Sequence, residues 1–220
     1  MRERSPLPSL LAGLAALALG ACTFESSRPE PTPDPDPYAT RLEAPARMVA
    51  IGDLHGDLSA ARAALRLAGA IDSLDRWIGG GLVVVQTGDI LDRGDEEEAI
   101  FRLFEDLGQQ AEGVGGAVHV LNGNHELMNA YLDYRYVTVG GWTDFEDVAD
   151  VVAVDSFLAT LEPHQRARAQ ALRPGGEFAR LLAENNTFLI VGQTLFTHGG
   201  VLPEHVDFGL DWMNQRVRAW

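Results

Sequence analysis

Four short stretches of the chain place metal-ligand residue types directly after apolar runs. They read GDLHGD at 52–57, GDILDRGD at 88–95, GNHE at 123–126 and THGG at 197–200. The candidate ligands within them are Asp53, His55, Asp89, Asn124 and His198. Carboxylate, imidazole and amide groups together suit Mn, Fe or Zn. One carboxylate can bridge two such ions, and an ion pair can clamp both ends of an in-line displacement at phosphorus.

Two further side chains in these stretches suit phosphate chemistry. Arg93 follows the candidate bridging residue Asp89 closely and offers a planar guanidinium that binds oxyanions through paired hydrogen bonds. His125 comes directly after the neutral ligand Asn124, where it could donate a proton to a leaving oxygen. The pattern therefore predicts hydrolysis of a phosphate ester, with His125 as the general acid.

These side chains can meet only if the elements before them end at one edge of a sheet. Apolar runs at 47–51, 81–89 and 116–124 predict buried strands, and helical patterns separate them at 57–70 and 96–107. Strand–helix alternation favours an α/β fold with parallel central strands. In such folds ligands bind beyond the carboxyl ends of the strands, which is where the polar residues lie.

The second half of the chain has less regular patterning. We predict helices near 145–160, 163–172 and 176–185. Residues 187–200 read as two strands joined by Gly192 and Gln193, which is a hairpin signal.

The N-terminus resembles a bacterial lipoprotein signal. Arg2 and Arg4 precede an apolar run from Leu10 to Leu19, which is too short to span a bilayer comfortably. Leu-Gly-Ala then leads into Cys22, the single cysteine of the chain. We therefore expect residues 1–21 to be a signal peptide. A lipidated Cys22 would hold the exported protein on a membrane, at the periplasmic face or the cell surface. An ordinary secretory signal is the alternative.

A segment rich in Pro, Ser and acidic residues follows the cysteine. Alternating prolines favour extended chain, so we predict a solvated tether over residues 22–45 and a folded domain over 46–220.

The charge balance limits the classes of partner. The chain has 17 Lys+Arg against 32 Asp+Glu and a net charge of −15, which excludes nucleic acid as an expected ligand. A phosphate site must therefore carry its own local positive charge. The acidic run from Asp95 to Glu98 is predicted to be a solvated first helical turn, with a cation site as the alternative.

The four stretches resemble, in order and spacing, the calcineurin-like metallophosphoesterases. The DRG at 92–94 is similar to the phosphoprotein-phosphatase branch. GDILDRGDEE, LNGNHELMN, RPGGEFARLLAENNT and LFTHGGVLPEHV look like bacterial "Shewanella-like" phosphatases. The resemblance covers about residues 47–220. It implies a metallophosphoesterase-type αββα sandwich that hydrolyses phosphomonoesters, with phosphoproteins among the possible substrates.

The resemblance also implies roles for the metal ligands. By match to the family, Asp53 and His55 hold one di- or trivalent ion and Asp89 bridges two. Asn124 and His198 hold the second ion.

The same resemblance assigns the catalytic groups. His125 would be the general acid, Asp92 would orient it, and Arg93 would bind phosphate. Asp57 and Glu126 also match the pattern, and we expect them to have supporting roles.

The family pattern runs beyond residue 220, with a second phosphate-binding arginine and a further metal-binding histidine. On this basis we expect a C-terminally truncated, incomplete sandwich. His205, Arg216 and Arg218 are weak candidates to replace the missing groups. Two other functions remain open: a non-catalytic metal-binding lipoprotein remnant and a dinucleoside polyphosphate hydrolase.

Overall fold

A computed structural model describes residues 38–147 and 154–220. The predicted signal peptide, Cys22 and most of the predicted tether lie outside these ranges. Within them, six strands form two three-stranded sheets. In chain order the strands are β1 (Arg41–Leu42), β2 (Met48–Ile51), β3 (Val83–Gln86), β4 (Ala117–Val120), β5 (Phe188–Val191) and β6 (Thr194–Thr197).

The central sheet has the order β2-β3-β4, and both of its strand pairs are parallel. Helix α1 (Leu58–Leu67) connects β2 to β3, and helix α2 (Glu97–Glu112) connects β3 to β4. Both helices bury one apolar face in the main core, through side chains such as Leu65 and Ile100. The predicted α/β class with parallel central strands is therefore confirmed.

The second sheet has the order β1-β5-β6. Strands β5 and β6 are antiparallel and meet at Gly192, whose φ of 59° is the left-handed conformation that glycine adopts without strain. The predicted hairpin is therefore confirmed. A small apolar cluster packs between the two sheets, and its buried members are Val85, Leu121, Leu189 and Val191.

Strand β1 corrects the predicted end of the tether. It pairs in parallel with β5, and the amide of Ile190 donates to the carbonyl of Thr40 at 2.7 Å. Thr40 is only 6% exposed. The range 22–45 therefore extends too far along the chain, because part of it completes the second sheet.

Six further α-helices support the loops. They are α3 (Asn124–Ala130), α4 (Val139–Thr143), α5 (Arg166–Leu172), α6 (Glu177–Glu184), α7 (Pro203–Phe208) and α8 (Leu210–Ala219). The predictions near 163–172 and 176–185 match α5 and α6. The helix predicted near 145–160 is wrong over its described residues. Asp155 there accepts from the amides of Phe157 and Leu158, and only a short 3₁₀ helix follows at Leu158–Thr160.

Helix α8 is fastened to the second sheet by Asn214, which is fully buried. Its side-chain oxygen accepts from the amides of Thr187 and Phe188, at 2.9 and 3.0 Å. Its side-chain nitrogen donates to the carbonyl of Phe188 and the hydroxyl of Thr40. One side chain thus joins α8 to β5 and to the start of β1. No helix within the described residues is long and apolar enough to span a membrane.

Candidate metal centre

The loops that follow β2, β3 and β4 lie side by side because the three strands are parallel. Backbone hydrogen bonds join the first two loops, from the amides of Leu54 and His55 to the carbonyl of Asp89, each at 2.9 Å. The loops approach so closely that a Cβ atom on Gly94 would collide with the carbonyl of His55. A Cβ atom on Gly123 would collide with the carboxylate of Asp89. Glycine is therefore required at both positions by contact between loops.

The site holds most of the strained backbone in the described residues. Six non-glycine residues in the described part of the chain have positive φ. Four of them belong to the predicted site: His55, Asp89, Asp92 and Arg93. Such conformations cost roughly 1–3 kcal/mol each and persist only where neighbours hold them. The amide of Asp92 donates to Glu97 at 2.6 Å, and the amide of Arg93 donates to the carbonyl of Tyr136 at 3.1 Å. The loop after β3 is therefore clamped from both α2 and the 130–147 segment.

Glu126 anchors the same loop from α3. Its fully buried carboxylate accepts from the amides of Asp89, Ile90 and Leu91, at 2.8, 2.8 and 3.2 Å. It also accepts from the amide of Gly123 at 2.7 Å. Burial raises the pKa of Glu126, and these donations oppose that rise because they favour the ionised form. The structure thus gives Glu126 the supporting position that the sequence suggested.

The predicted metal ligands converge on the carboxylate of Asp89. Its Oδ2 atom lies 3.8 Å from Nε2 of His55 and 3.2 Å from Nε2 of His198. Asp53 lies between these two histidines, with its carboxylate oxygens 3.7 Å from each. The side chain of Asn124 reaches the same place, with Oδ1 at 3.0 Å from Nε2 of His198. Residues that are 145 positions apart in the chain therefore share one cluster.

The ring orientations of His55 and His198 fit a metal centre. Nδ1 of His55 lies 3.0 Å from the carbonyl of Leu91, and Nδ1 of His198 lies 3.1 Å from the carbonyl of Thr87. A carbonyl only accepts, so each Nδ1 carries the proton and each Nε2 presents a lone pair to the cluster. This is how metal-binding histidines are usually oriented.

By distance, the candidate ligands form two groups that share Asp89. One group is His55, Asp89 and His125, and the other is Asp53, Asp89 and His198. Lone pairs that face lone pairs across these groups repel one another unless a cation lies between them. The buried Nε2 of His125 has no hydrogen-bond partner among the described residues, so this atom is available to a group bound in the site. The donor set therefore fits two ions that share one carboxylate.

His125 and Asp92 form a buried pair beside this cluster. Nδ1 of His125 lies 2.6 Å from Oδ2 of Asp92. The amide of His125 donates to Oδ1 of Asp89 at 3.0 Å, which fixes the start of α3 against the bridging carboxylate. The pairing directs Nε2 of His125 toward the metal ligands, since that atom lies 3.8 Å from Oδ2 of Asp89.

Arg93 lies at the solvent side of the cluster. Its Nη1 atom is 2.6 Å from Nε2 of His55, and its guanidinium lies 5.5 Å from the ring centre of Tyr136. Tyr136 in turn packs edge-on against the ring of His125, at 5.1 Å between centres. A positive group therefore stands at the mouth of a site whose other side chains are acidic or neutral.

Sequence reasoning missed three buried polar residues behind the site. Glu97 is wholly buried, so the prediction of a solvated first helical turn is wrong at this position. It is buried because its carboxylate bonds the amide of Asp92 and the guanidinium of Arg168. Arg168 and Asn129 are buried as well. Glu97 and Asn129 lie at the ends of the quoted stretches GDILDRGDEE and LNGNHELMN, and Arg168 lies outside all of them. Nothing in the sequence marks the three as buried, since their partners come from distant parts of the chain.

The weaker candidates have other partners. Nδ1 of His205 accepts from the amide of Leu202 at 3.2 Å, and His205 belongs to neither ligand group in the described part of the chain. Arg216 packs over Trp212, and Arg218 donates to Asn186 at the second sheet. These contacts give the three residues structural roles.

Comparison with known proteins places this geometry in context. Residues 46–219 match the calcineurin-like phosphoesterase family. The chain is 43% identical over 217 residues to "Shewanella-like protein phosphatase 2" of Arabidopsis thaliana, covering 87% of this chain and 56% of that protein. It is 29% identical over 155 residues to "Shewanella-like protein phosphatase 1" of Plasmodium berghei, covering 70% of this chain and 39% of that protein.

A solved structure resembles the fold. The cold-active protein-tyrosine phosphatase of a psychrophilic Shewanella sp. superimposes with a TM-score of 0.67 at 30% identity, covering 82% of this chain and 50% of that one. The chain spans about half the length of the curated relatives it matches.

Proposed function

This chain belongs to the calcineurin-like phosphoesterase family, and on that premise we propose that it hydrolyses phosphomonoesters with two bound metal ions. One observation carries the proposal. Oδ2 of Asp89 lies within 3.8 Å of Nε2 of His55, His125 and His198, which follow three different strands. Ions such as Mn, Fe or Zn bound there would neutralise charge on the phosphate and activate the attacking water.

The remaining groups have roles that follow from their positions. Arg93 reaches the mouth of the site with its guanidinium and binds non-bridging phosphate oxygens through paired hydrogen bonds. Nε2 of His125 faces the ligand cluster, and with both ring nitrogens protonated it donates its proton to the leaving oxygen while Nδ1–H stays bonded to Asp92. Asp92 holds Nδ1 of His125 and so keeps Nε2 directed into the site. This division of labour is the one that the family resemblance implied.

The proposed substrate class is an aryl phosphomonoester, including phosphotyrosine in proteins. Support comes from the relatives, which are named as protein phosphatases, and from the solved neighbour, which is named as a protein-tyrosine phosphatase. Tyr136 at the site mouth offers an aromatic surface beside Arg93. A phosphotyrosine peptide should therefore be turned over faster than the matched phosphoserine peptide.

The proposed location is the outside of a cell membrane, with Cys22 as the lipid-bearing residue. The basic residues Arg2 and Arg4, the apolar run Leu10–Leu19 and the small residues before Cys22 support export and lipidation. Metabolic labelling with a fatty acid, compared with Cys22→Ser, tests this point. Equal labelling of the two proteins would rule out lipidation at this cysteine.

The central experiment measures hydrolysis of p-nitrophenyl phosphate by the full chain, with and without added Mn. His125→Ala should reduce kcat by at least about 100-fold. His164→Ala is the matched control, since His164 is an exposed residue at the start of a 3₁₀ helix. Metal-independent turnover, or equal loss in both variants, would overturn the proposal.

A further inference from the structure

Arg168, on helix α5, is the largest fully buried side chain in the described residues. It lies outside the four ligand-bearing stretches, and the residues on either side of it in sequence give no sign of a buried charge. A guanidinium is rarely buried unless carboxylates pair with it and all of its N–H groups are bonded. Its partners therefore indicate what it is placed there to hold.

The hydrogen bonds of Arg168 join four separate elements. Nη1 donates to the carboxylate of Glu97 at the start of α2 and to the carbonyl of Gly141 in α4 at 2.8 Å. Nε and Nη2 donate to Oδ1 of Asn129 in α3, at 3.1 and 3.0 Å. Nη2 also donates to Oδ1 of Asp92, in the loop after β3, at 3.1 Å. These contacts engage all five N–H groups of the guanidinium.

The contact with Asp92 determines which carboxylate oxygen faces the histidine. Oδ1 of Asp92 accepts from Arg168 and, at 3.0 Å, from the amide nitrogen of Asn129. That leaves Oδ2 for Nδ1 of His125 at 2.6 Å. Rotation of the carboxylate would break both bonds at Oδ1, so its plane is held. A carboxylate only accepts, and Nδ1 of His125 must therefore carry one proton. The proton that is transferred to the leaving oxygen is a second one, carried by Nε2, which faces the metal ligands, and its loss leaves a neutral ring with Nδ1–H still bonded to Asp92.

We propose that Arg168 is a positioning residue: through Asp92 it holds the proton-donating histidine in the orientation needed for transfer to the leaving oxygen. The inference rests on the proposed phosphatase function and extends it to a residue outside the motifs. Arg168 bonds none of the predicted metal ligands: its partners are Glu97, Asn129, Asp92 and the carbonyl of Gly141. It acts at the distal oxygen of the Asp92–His125 pair.

A purely structural role for Arg168 makes a different prediction. If it only joins α2, α3 and α4, its loss should lower stability and slow all substrates equally. If it positions His125, the decrease in kcat caused by the substitution should be larger for a leaving group that is harder to expel without a proton. Dependence on the leaving group therefore separates the two roles.

The kinetic test compares phenyl phosphate with p-nitrophenyl phosphate, whose leaving group departs more easily. For Arg168→Met we expect kcat to fall about 100-fold on phenyl phosphate and about 10-fold or less on p-nitrophenyl phosphate. Arg166→Met is the matched control, because Arg166 is on the same helix and, among the described residues, bonds the carbonyls of Leu158 and Leu161 and no part of the site. In an Asp92→Asn background, Arg168→Met should cause no additional selective loss.

A spectroscopic test does not depend on turnover. The short bond between Nδ1 of His125 and Asp92 should give a downfield imidazole proton signal, identified by its absence in His125→Ala. Arg168→Met should lose or shift this signal, and Arg166→Met should keep it. If the Arg168 variant does not fold, as judged by circular dichroism, Asn129→Ala carries both tests, because it removes the other donor to Oδ1 of Asp92.

The outcomes test the proposed phosphatase function and the positioning role of Arg168 separately. If the unmodified chain turns over neither substrate, the proposed function fails, and the proton signal alone decides the positioning role. If it is active, a signal that survives Arg168→Met, or equal losses on the two substrates, overturns that role. Loss of the signal together with the selective kinetic loss supports it.

Discussion

Nδ1 of His125 lies 2.6 Å from Oδ2 of Asp92, and solvent reaches 1% of the histidine side chain and none of the aspartate. Residues 33 positions apart thus form a pair that is shielded from water and directed at the ligand cluster. In such an environment a hydrogen bond is stronger and its geometry is better held than at a surface. The pair is the part of the site to which the proposed proton transfer is assigned.

Asp92→Asn should therefore reduce turnover strongly. A neutral amide facing Nδ1 would no longer stabilise the doubly protonated ring of His125 that donates a proton from Nε2. We expect kcat on an aryl phosphate to fall about 100-fold or more. Asp72→Asn makes the same chemical change at an aspartate that bonds Arg76 near the surface. If the two variants lost activity equally, a role for Asp92 in orienting His125 would be excluded.

Asp89→Asn should disrupt metal binding without disturbing the loop. Asn tolerates positive φ, so the backbone at this position, with φ of 60°, can be kept. The loss of one negative charge from the shared carboxylate should reduce the bound metal from about two ions per chain to one or none. Calorimetric titration with Mn measures this number. Asp75→Asn, at another aspartate with positive φ, is the control, and unchanged binding in Asp89→Asn would contradict a bridging role.

Glu97 should make stability depend on pH. Burial raises the pKa of Glu97 from 4.5 to about 7, against the opposing effect of Arg168. The folded protein therefore favours the protonated carboxyl. The stability that this preference contributes is fully present below pH 4.5 and is lost as the pH rises through 7. Wild type should lose up to roughly 3 kcal/mol relative to Glu97→Gln over this range.

Urea unfolding of wild type and Glu97→Gln at pH 5 and pH 8 measures the difference. Glu112→Gln, at an exposed carboxylate on the same helix, controls for the loss of a carboxyl group. A gap between wild type and Glu97→Gln that stays constant with pH would contradict the raised pKa.

Asn214→Ala should destabilise the second sheet. The substitution leaves the amides of Thr187 and Phe188 and the carbonyl of Phe188 without their side-chain partner. Each unsatisfied buried group costs roughly 1–3 kcal/mol. Because the structure around the substituted side chain relaxes in part, we expect the free energy of unfolding to fall by about 3 kcal/mol. Denaturant unfolding tests this value. Gln215→Ala, at the exposed neighbour, should change the free energy of unfolding by no more than about 0.5 kcal/mol.

Much of the candidate site could be predicted from the sequence, because its candidate metal ligands lie directly after strands. A strand has one carboxyl end, and parallel strands bring those ends to one edge. The spacing of Asp53, Asp89 and Asn124 therefore predicts that they share one crevice. Local signals worked in the same way for the hairpin turn at Gly192 and for Asp57, which caps α1 by accepting from the amide of Ala60.

Other features depend on contacts between distant segments, and no local pattern encodes them. Thr40 reads as part of a polar tether, yet it is buried because β5 and Asn214 happen to lie beside it. Glu97 reads as a solvated acid at a helix start, yet it is buried because it bonds the guanidinium of Arg168, which lies 71 residues later in the chain.

The sequence by itself therefore determined which side chains are the candidates to bind metal and phosphate, and that they lie at one edge of a parallel sheet. Only the tertiary structure decided how these groups are held. Glu126 bonds the amides of one loop, and Arg168 orients Asp92 from a helix outside every motif. The physical reason is that chemistry is specified by residue type, whereas orientation inside a buried network depends on every partner within hydrogen-bond distance.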